Sequence, residues 1–423
     1  MLEYLKVKVS RRRLLASAAL SPLASSSVAQ GQQVAAPSAA LQPLDPAVRA
    51  ALQSHARGGA VVLWPDLDAG ANGTCTVLTH VPAPIAQVRA IIASPEHYPE
   101  FIGIVRDVRV DSRRGPFTGF QFRASAGIFD IRTLASLRSV GARRVDIAIV
   151  QSDLGPGAMR WDLYEDQGGT LVSCTSRGDP SQGHWLLRQI AGRARSSITI
   201  MTGAVAILFS LALVRRASAR GVVSPIPAVP VQALADLQTH VPVGGALASV
   251  RLNARGEITD VGALLVTTGT VDQAAGWLNE PLRYGQVFRS FRNVQIVSQD
   301  PRGTQFSASI ETVMGRTSGT RLLTTRRENG TYHARWEGTA GDELQHHLEW
   351  RVSAVDPQRV AIAAFVGDEV NRIGFPLRGT LERELGLRAG LSVGLAIIWA
   401  RALVNRLARD RETPAVVGIR PAA

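Results

Sequence analysis

Lysine is all but missing from this chain: Lys6 and Lys8 are the only two, and every other basic residue is arginine. Cysteine is limited to Cys75 and Cys174. Two lone cysteines lack the C-x-x-C spacing of zinc sites, so no metal is expected. The eight histidines are scattered. His346 and His347 are adjacent on a predicted strand, so their rings point to opposite faces and cannot share a metal. G-x-S-x-G, P-loop and H-E-x-x-H motifs are all absent, and Gly155-Pro156-Gly157 reads as a turn. No catalytic residue and no cofactor is therefore assigned. A zinc knuckle, a helix-turn-helix signature and a basic stripe with interleaved aromatics are missing too, so nucleic acid is not an expected partner. The net charge is +13, about +9 without residues 1–29. It has two readings, a compositional preference for arginine or affinity for an anionic membrane surface.

What is present is length and pattern. A chain of 423 residues suggests two to three domains and ample core. Residues 1–29 read as an export signal: Ser10-Arg11-Arg12-Arg13-Leu14-Leu15 resembles the twin-arginine pattern, a weakly apolar run follows, and Ser27-Val28-Ala29 offers small residues for cleavage. The expected location is exported and periplasmic, with membrane association as the variant. Residues 30–48 are a linker of Ala, Gln, Ser and Pro without period, near whose end Pro46 can open a short helix. The remaining divisions are 49–220, a Pro-rich linker at 221–232, 233–410 and a tail at 411–423.

The most informative stretch is VPAPIAQVRAIIASPEHYPEFIGIVRDVRV, from Val81 to Val110. Ile85, Val88, Ile91 and Ile92 fall at helical spacing over 84–93. Pro95 and Pro99 break that helix and start a second turn carrying Tyr98, Phe101 and Ile102. Strands are expected on both sides, at 74–81 and 105–110. Strand candidates then follow at 118–124, 129–137, 144–150, 158–164 and 170–175. Residues 182–218 read as one long helix. This order, with V-x-A-P-x-x-x-V, P-E-x-Y-P-E-F and a later W-x-L before G-G-T-L-V, resembles the START-like superfamily, in particular its polyketide cyclase and coenzyme Q-binding branches. The resemblance implies an α+β fold of the helix-grip type, a curved antiparallel sheet wrapped around a long C-terminal helix with a hydrophobic cavity between them.

The pattern occurs twice. Leu52-Gln53-Ser54-His55 and Gly58-Gly59-Ala60 return as Leu237-Gln238-Thr239-His240 and Gly244-Gly245-Ala246. Pro95, Tyr98, Phe120 and Trp161 fall on Pro281, Tyr284, Phe306 and Trp350, and Ala206-Ile207 on Ala396-Ile397, with an offset drifting from about 185 to 190. Two tandem helix-grip domains are therefore expected. The run from Ser196 to Val214 has no charge over 19 residues and is long enough to cross a membrane. Its counterpart carries Arg388 and Arg401, which argues for gripped core helices in both copies. A helix exposing its far side to lipid is the intermediate case.

On the family topology the strand of Cys75 neighbours the strand of Cys174. Either they form a disulfide in an oxidising compartment or they are two buried thiols. Phe120, Phe122, Phe129, Trp161, Phe306 and Trp350 lie on predicted inward faces. They are pocket candidates as well as ordinary core, and His346 shares the face of Trp350. The expected function is an exported binding or carrier protein for a hydrophobic small molecule or lipid, with the enzyme question left open. The alternatives are a cyclase- or aromatase-type enzyme on the same fold, or a membrane-anchored interaction protein spanning at 196–214.

Overall fold

The computed structural model describes residues 41–70, 73–126, 129–184, 188, 195–218, 231–253, 257–312, 315–341, 347–367 and 384–412. The export pattern at 1–29 and most of the linkers lie outside them.

The chain starts with α1 (Pro46–Ala56), capped by the Asp45 carboxylate, which accepts from the Ala47 and Val48 amides. β1 (Gly59–Trp64) and β2 (Thr74–Val81) follow, then α2 (Ile85–Ile92) and a 3₁₀ turn at Pro95–Glu100. Six strands come next: β3 (Val105–Arg114), β4 (Phe117–Ala126), β5 (Phe129–Val140), β6 (Arg144–Ser152), β7 (Gly157–Asp166) and β8 (Gly169–Gly178). The long helix α3 spans Arg195–Ser218. It does not begin at 182, because Pro180–Gln182 is a separate 3₁₀ turn capped by Asp179 and Gly183 is extended.

The second half repeats the order. A 3₁₀ helix at Val231–His240 leads to β9 (Ala246–Leu252) and β10 (Ile258–Thr268). α4 (Val271–Leu278) and α5 (Tyr284–Val287) replace the kinked pair. β11 (Phe291–Asp300), β12 (Gly303–Thr312), β13 (Gly315–Glu328), β14 (Thr331–Gly341), β15 (His347–Asp356), β16 (Arg359–Val366) and α6 (Leu385–Glu412) complete it.

The expectation of two separate sheets is corrected. All sixteen strands form one sheet in the order β11-β12-β13-β14-β15-β16-β10-β9-β1-β2-β8-β7-β6-β5-β4-β3. The halves meet where β1 and β9 pair antiparallel. Trp64 faces Ala246 and Ala60 faces Val250, so the pairing is centred on Val62 and Ala248. With Ala60 equivalent to Ala246, that register is a pseudo-twofold. Pairing removes the edge each half would otherwise expose.

The central strands are buried on both faces, which explains why GAVVLW reads as a continuous apolar run rather than an alternation. On one face Val61, Leu63, Leu78, Leu171, Leu247 and Leu264 pack with α1 and the 3₁₀ helix at Val231–His240. α1 is also pinned by Arg57 and Gln53, which donate to Asp166 at the β7–β8 turn, each at 2.7 Å.

On the other face each long helix lies across its own half's strands, α3 over β1, β2 and β8, and α6 over β9, β10 and β16. Residues 196–214 therefore lie against the sheet, although α3 and α6 are both long and apolar enough to cross a membrane by length and composition. The two helices also run antiparallel against each other through Gly386, Gly390 and Gly394. A Cβ on Gly386 would lie 2.6 Å from Leu208 Cα, and one on Gly390 2.8 Å from Ala204 Cβ. Gly203 likewise leaves room for the Trp64 indole, whose Nε1 donates to the Thr199 carbonyl at 3.0 Å. Arg401, a charge in the middle of an apolar helix, pairs with Asp68 of the first half.

Gly390→Val is expected to drive the helices apart and destabilise by about 1–3 kcal/mol in denaturant unfolding. Gly276→Ala, where an added Cβ meets nothing within 4 Å, is expected to stabilise by about 0.5–1 kcal/mol.

Candidate ligand-binding site

The site is the apolar interior between sheet and long helix, closed in the first half by α2 and the Pro95–Glu100 turn. Alternation decides which side chains enter it. In β7, Met159, Trp161 and Leu163 belong to the core on the α3 side. Asp162 lies on the other face, bridged by both nitrogens of the Arg160 fork, and Arg144 binds Asp146 in the same way on β6. The charged groups of these strands thus stay out of the interior.

The turn that follows the short helix is held by a tyrosine in each half. The buried Tyr98 hydroxyl donates to the Ile92 carbonyl at the end of α2 at 2.7 Å, and Tyr284 donates to Leu278 at 2.5 Å. Burial pushes both phenols above their ordinary range. These struts were overlooked as site residues, although the P-x-x-Y spacing of the repeat contains both.

Of the pocket candidates, Phe120 is buried and stacks on the half-buried Phe122 at 6.1 Å. Phe129 lies on β5, and its side chain and His346 are outside the described residues. Trp161 is buried between Val145 and Cys174 on the neighbouring strands, and its Nε1 has no hydrogen-bond partner among the described residues. Phe306 and Trp350 join a cluster with Tyr284, Phe288, Phe291, Trp336 and Trp399, whose rings touch at centroid distances from 4.3 to 6.4 Å. Sequence reasoning missed most of this cluster, though the repeat offset sets Trp399 against Phe209. It also missed Arg321, only 3% exposed, whose guanidinium lies 5.6 Å from the Phe291 ring centre and 5.9 Å from that of Phe306.

The disulfide alternative is corrected. β2 and β8 do pair, but Cys75 faces Ser176 and Cys174 faces Val77, a register two residues apart. Such diagonal neighbours sit about 7–8 Å apart, beyond comfortable disulfide reach. Both thiols are free and buried, with Cys75 Sγ 3.0 Å from Ser176 Oγ. Burial pushes the Cys75 thiol up to about 12 and Cys174 well above its ordinary value. Neither is a thiolate nucleophile at neutral pH. Among the described residues no group of histidine, cysteine and carboxylate side chains is placed to hold a metal.

No family model and no curated protein matches the chain. Solved structures do. The di-domain ARO/CYC StfQ from the steffimycin biosynthetic pathway is 13% identical over 80% of this chain and 99% of its own, with a TM-score of 0.27. A START superfamily protein from Mycobacterium smegmatis is 12% identical over 36% of this chain and 98% of its own, with a TM-score of 0.30. A STAR-related lipid transfer protein from Xanthomonas axonopodis is 11% identical over 38% and 93%, with a TM-score of 0.28. Each half of this chain has the helix-grip arrangement, antiparallel strands with a long C-terminal helix lying across them.

Tyr98→Phe removes one buried bond and is expected to cost about 1 kcal/mol, whereas Tyr284→Phe, which also strips the Trp336 Nε1 bond of its acceptor, is expected to cost about 1–3 kcal/mol. Denaturant midpoints of the two variants test the order. Both cysteines are expected to alkylate fully in non-reducing denaturant and to stay protected in the folded chain. The raised Cys75 pKa gives a stability contribution that is complete below the ordinary value of 9.0 and is lost as pH climbs towards about 12. Unfolding curves from pH 8 upwards would record that loss, and a flat profile would contradict it.

Proposed function

We propose that the protein binds a hydrophobic small molecule or lipid between sheet and long helix. The observation that carries this is the apolar lining of the first half. Side chains from β4 to β8, α2 and α3 meet there in one buried cluster, while the carboxylates of β6 and β7 are paired on the opposite face. An apolar ligand leaving water for such a space gains about 25 cal/mol per Å² buried. α2 and the Pro95–Glu100 turn form the lid through which it enters. The twin-arginine-like start supports export to the periplasm, and the arginine-rich composition supports an encounter with anionic membranes.

A cyclase-type enzyme is the second reading. The observation in its favour is Arg321, a guanidinium held against aromatic faces that suits an oxygen-rich polyketide. The two differ in what they return. Native mass spectrometry of the purified chain, followed by organic extraction, is expected to release an apolar species that comes back with unchanged mass after incubation. Conversion to a new mass would favour the enzyme, and a chain that neither carries nor takes up any apolar species would end the carrier reading.

A further inference from the structure

We propose that the ligand carries a neutral oxygen acceptor, such as a ketone or ester carbonyl, and that the Trp161 Nε1–H of the first half holds it, with one ligand per chain. This rests on the binding reading above and names the ligand class and the donor.

The starting point is a repeated defect. Trp161 pairs across the sheet with Val145 and Cys174, and Trp350 with Ala334 and Ala364, so the two indoles occupy the same place in their halves. They are 1% and 0% exposed, and neither N–H has an acceptor among the described residues. A buried N–H left unpaired is costly and uncommon. Other indoles of this chain are satisfied: Trp64 by the Thr199 carbonyl, Trp277 by Asp410 and Trp336 by the Tyr284 hydroxyl.

The surroundings then separate the halves. Trp350 is packed among rings, 4.3 Å from Trp336, 5.8 Å from Phe288 and 6.4 Å from Trp399. Aromatic faces at that distance can receive an N–H weakly. Trp161 has no ring neighbour among the described residues. Where the second half has Phe288, Phe291 and Trp336, the first has Ile102, Val105 and Ile147, as Tyr98 and the strand pairings fix the equivalence. The second interior is filled with rings, while among the described residues the first surrounds the indole with aliphatic and sulfur-bearing side chains, none of which accepts its N–H.

The acceptor is neutral for a further reason. Ala135, opposite Phe120, stands where Arg321 stands opposite Phe306. Among the described residues the first interior therefore has no cation in the place that Arg321 takes in the second, and the neighbouring Cys174 stays a protonated thiol. A carboxylate would be desolvated there without a counter-charge.

The test uses indole N–H correlation spectra of the full chain, with Trp161 and Trp350 assigned by through-bond experiments, and titrations with methyl nonyl ketone and with undecane. The expected result is a downfield proton shift of Trp161 with the ketone and not with the alkane, while Trp350 stays in place and native mass spectrometry counts one ketone per chain. Trp161→Phe is expected to weaken the ketone about tenfold and leave undecane unchanged. A Trp161 resonance that does not move while the ketone is bound overturns the donor assignment and spares the binding reading. An equal shift of Trp350 overturns the single site. A chain that takes up neither compound overturns the binding reading itself.

Discussion

The antiparallel seam between β1 and β9 is the constraint from which the rest of the architecture follows. Each strand would otherwise be an edge, and each is apolar on both faces, the arrangement most prone to recruit another chain. Joining them satisfies both backbones at once and fixes a pseudo-twofold at Val62 and Ala248. That dyad brings the two long helices together, and they approach so closely that only Gly386, Gly390 and Ala204 fit where backbones meet. The cores of the halves then merge into one cluster running from Trp64 to Trp350. The two copies are thus parts of one cooperative body rather than beads on a linker.

Symmetry holds at the seam and at the tyrosine struts but not inside the grips. Backbone pairing and helix crossing must match in both copies, since a change in one half breaks the register of the other. The interiors touch only their own sheet and helix, so their side chains were free to diverge. One half packs its indole into a cluster of rings; in the other the rings gather about Tyr98, with Phe120 and Phe209 against it, and none of them contacts Trp161 among the described residues. A filled interior also stiffens what it fills, because rings in edge contact leave few alternative rotamers.

Much of this was legible in the sequence. Alternation placed Phe120, Trp161 and Trp350 on inward faces, prolines marked the lid, and the repeat announced the duplication. The sheet fusion was not legible, because edge pairing depends on two surfaces meeting and leaves no local period. The cysteine pairing failed for a related reason: the neighbouring strands were correctly named, yet a register two residues off decides whether two thiols can bond. The helix start at 182 failed because Gln182 ends the short turn that Asp179 caps, and Gly183 after it is extended. Arg321 could not be found at all, since an arginine alternating along a strand looks the same whether it faces water or a phenyl ring.

The near-absence of lysine also acquires a physical meaning. On strands, residues two apart share a face, and here that spacing repeatedly joins arginine to a carboxylate. Arg144 to Asp146 and Arg160 to Asp162 are two-pronged, and Arg351 to Glu349 and Arg109 to Asp111 follow the same spacing. Only a guanidinium presents a planar fork matched to a carboxylate; an ammonium makes a point contact. An exposed pair such as Arg109 and Asp111 contributes at most about 1 kcal/mol, and in the more buried pairs of Asp146 and Asp162 the attraction is offset by the cost of desolvating both charges, so stability is not their main effect. Their effect is on register. A strand carrying such a pair cannot slip by one residue without burying both charges in the apolar interior, which would cost far more than the pair contributes. Part of the arginine excess is therefore tied to keeping charge on the outer face of β6, β7 and β15, away from the core that holds Trp161.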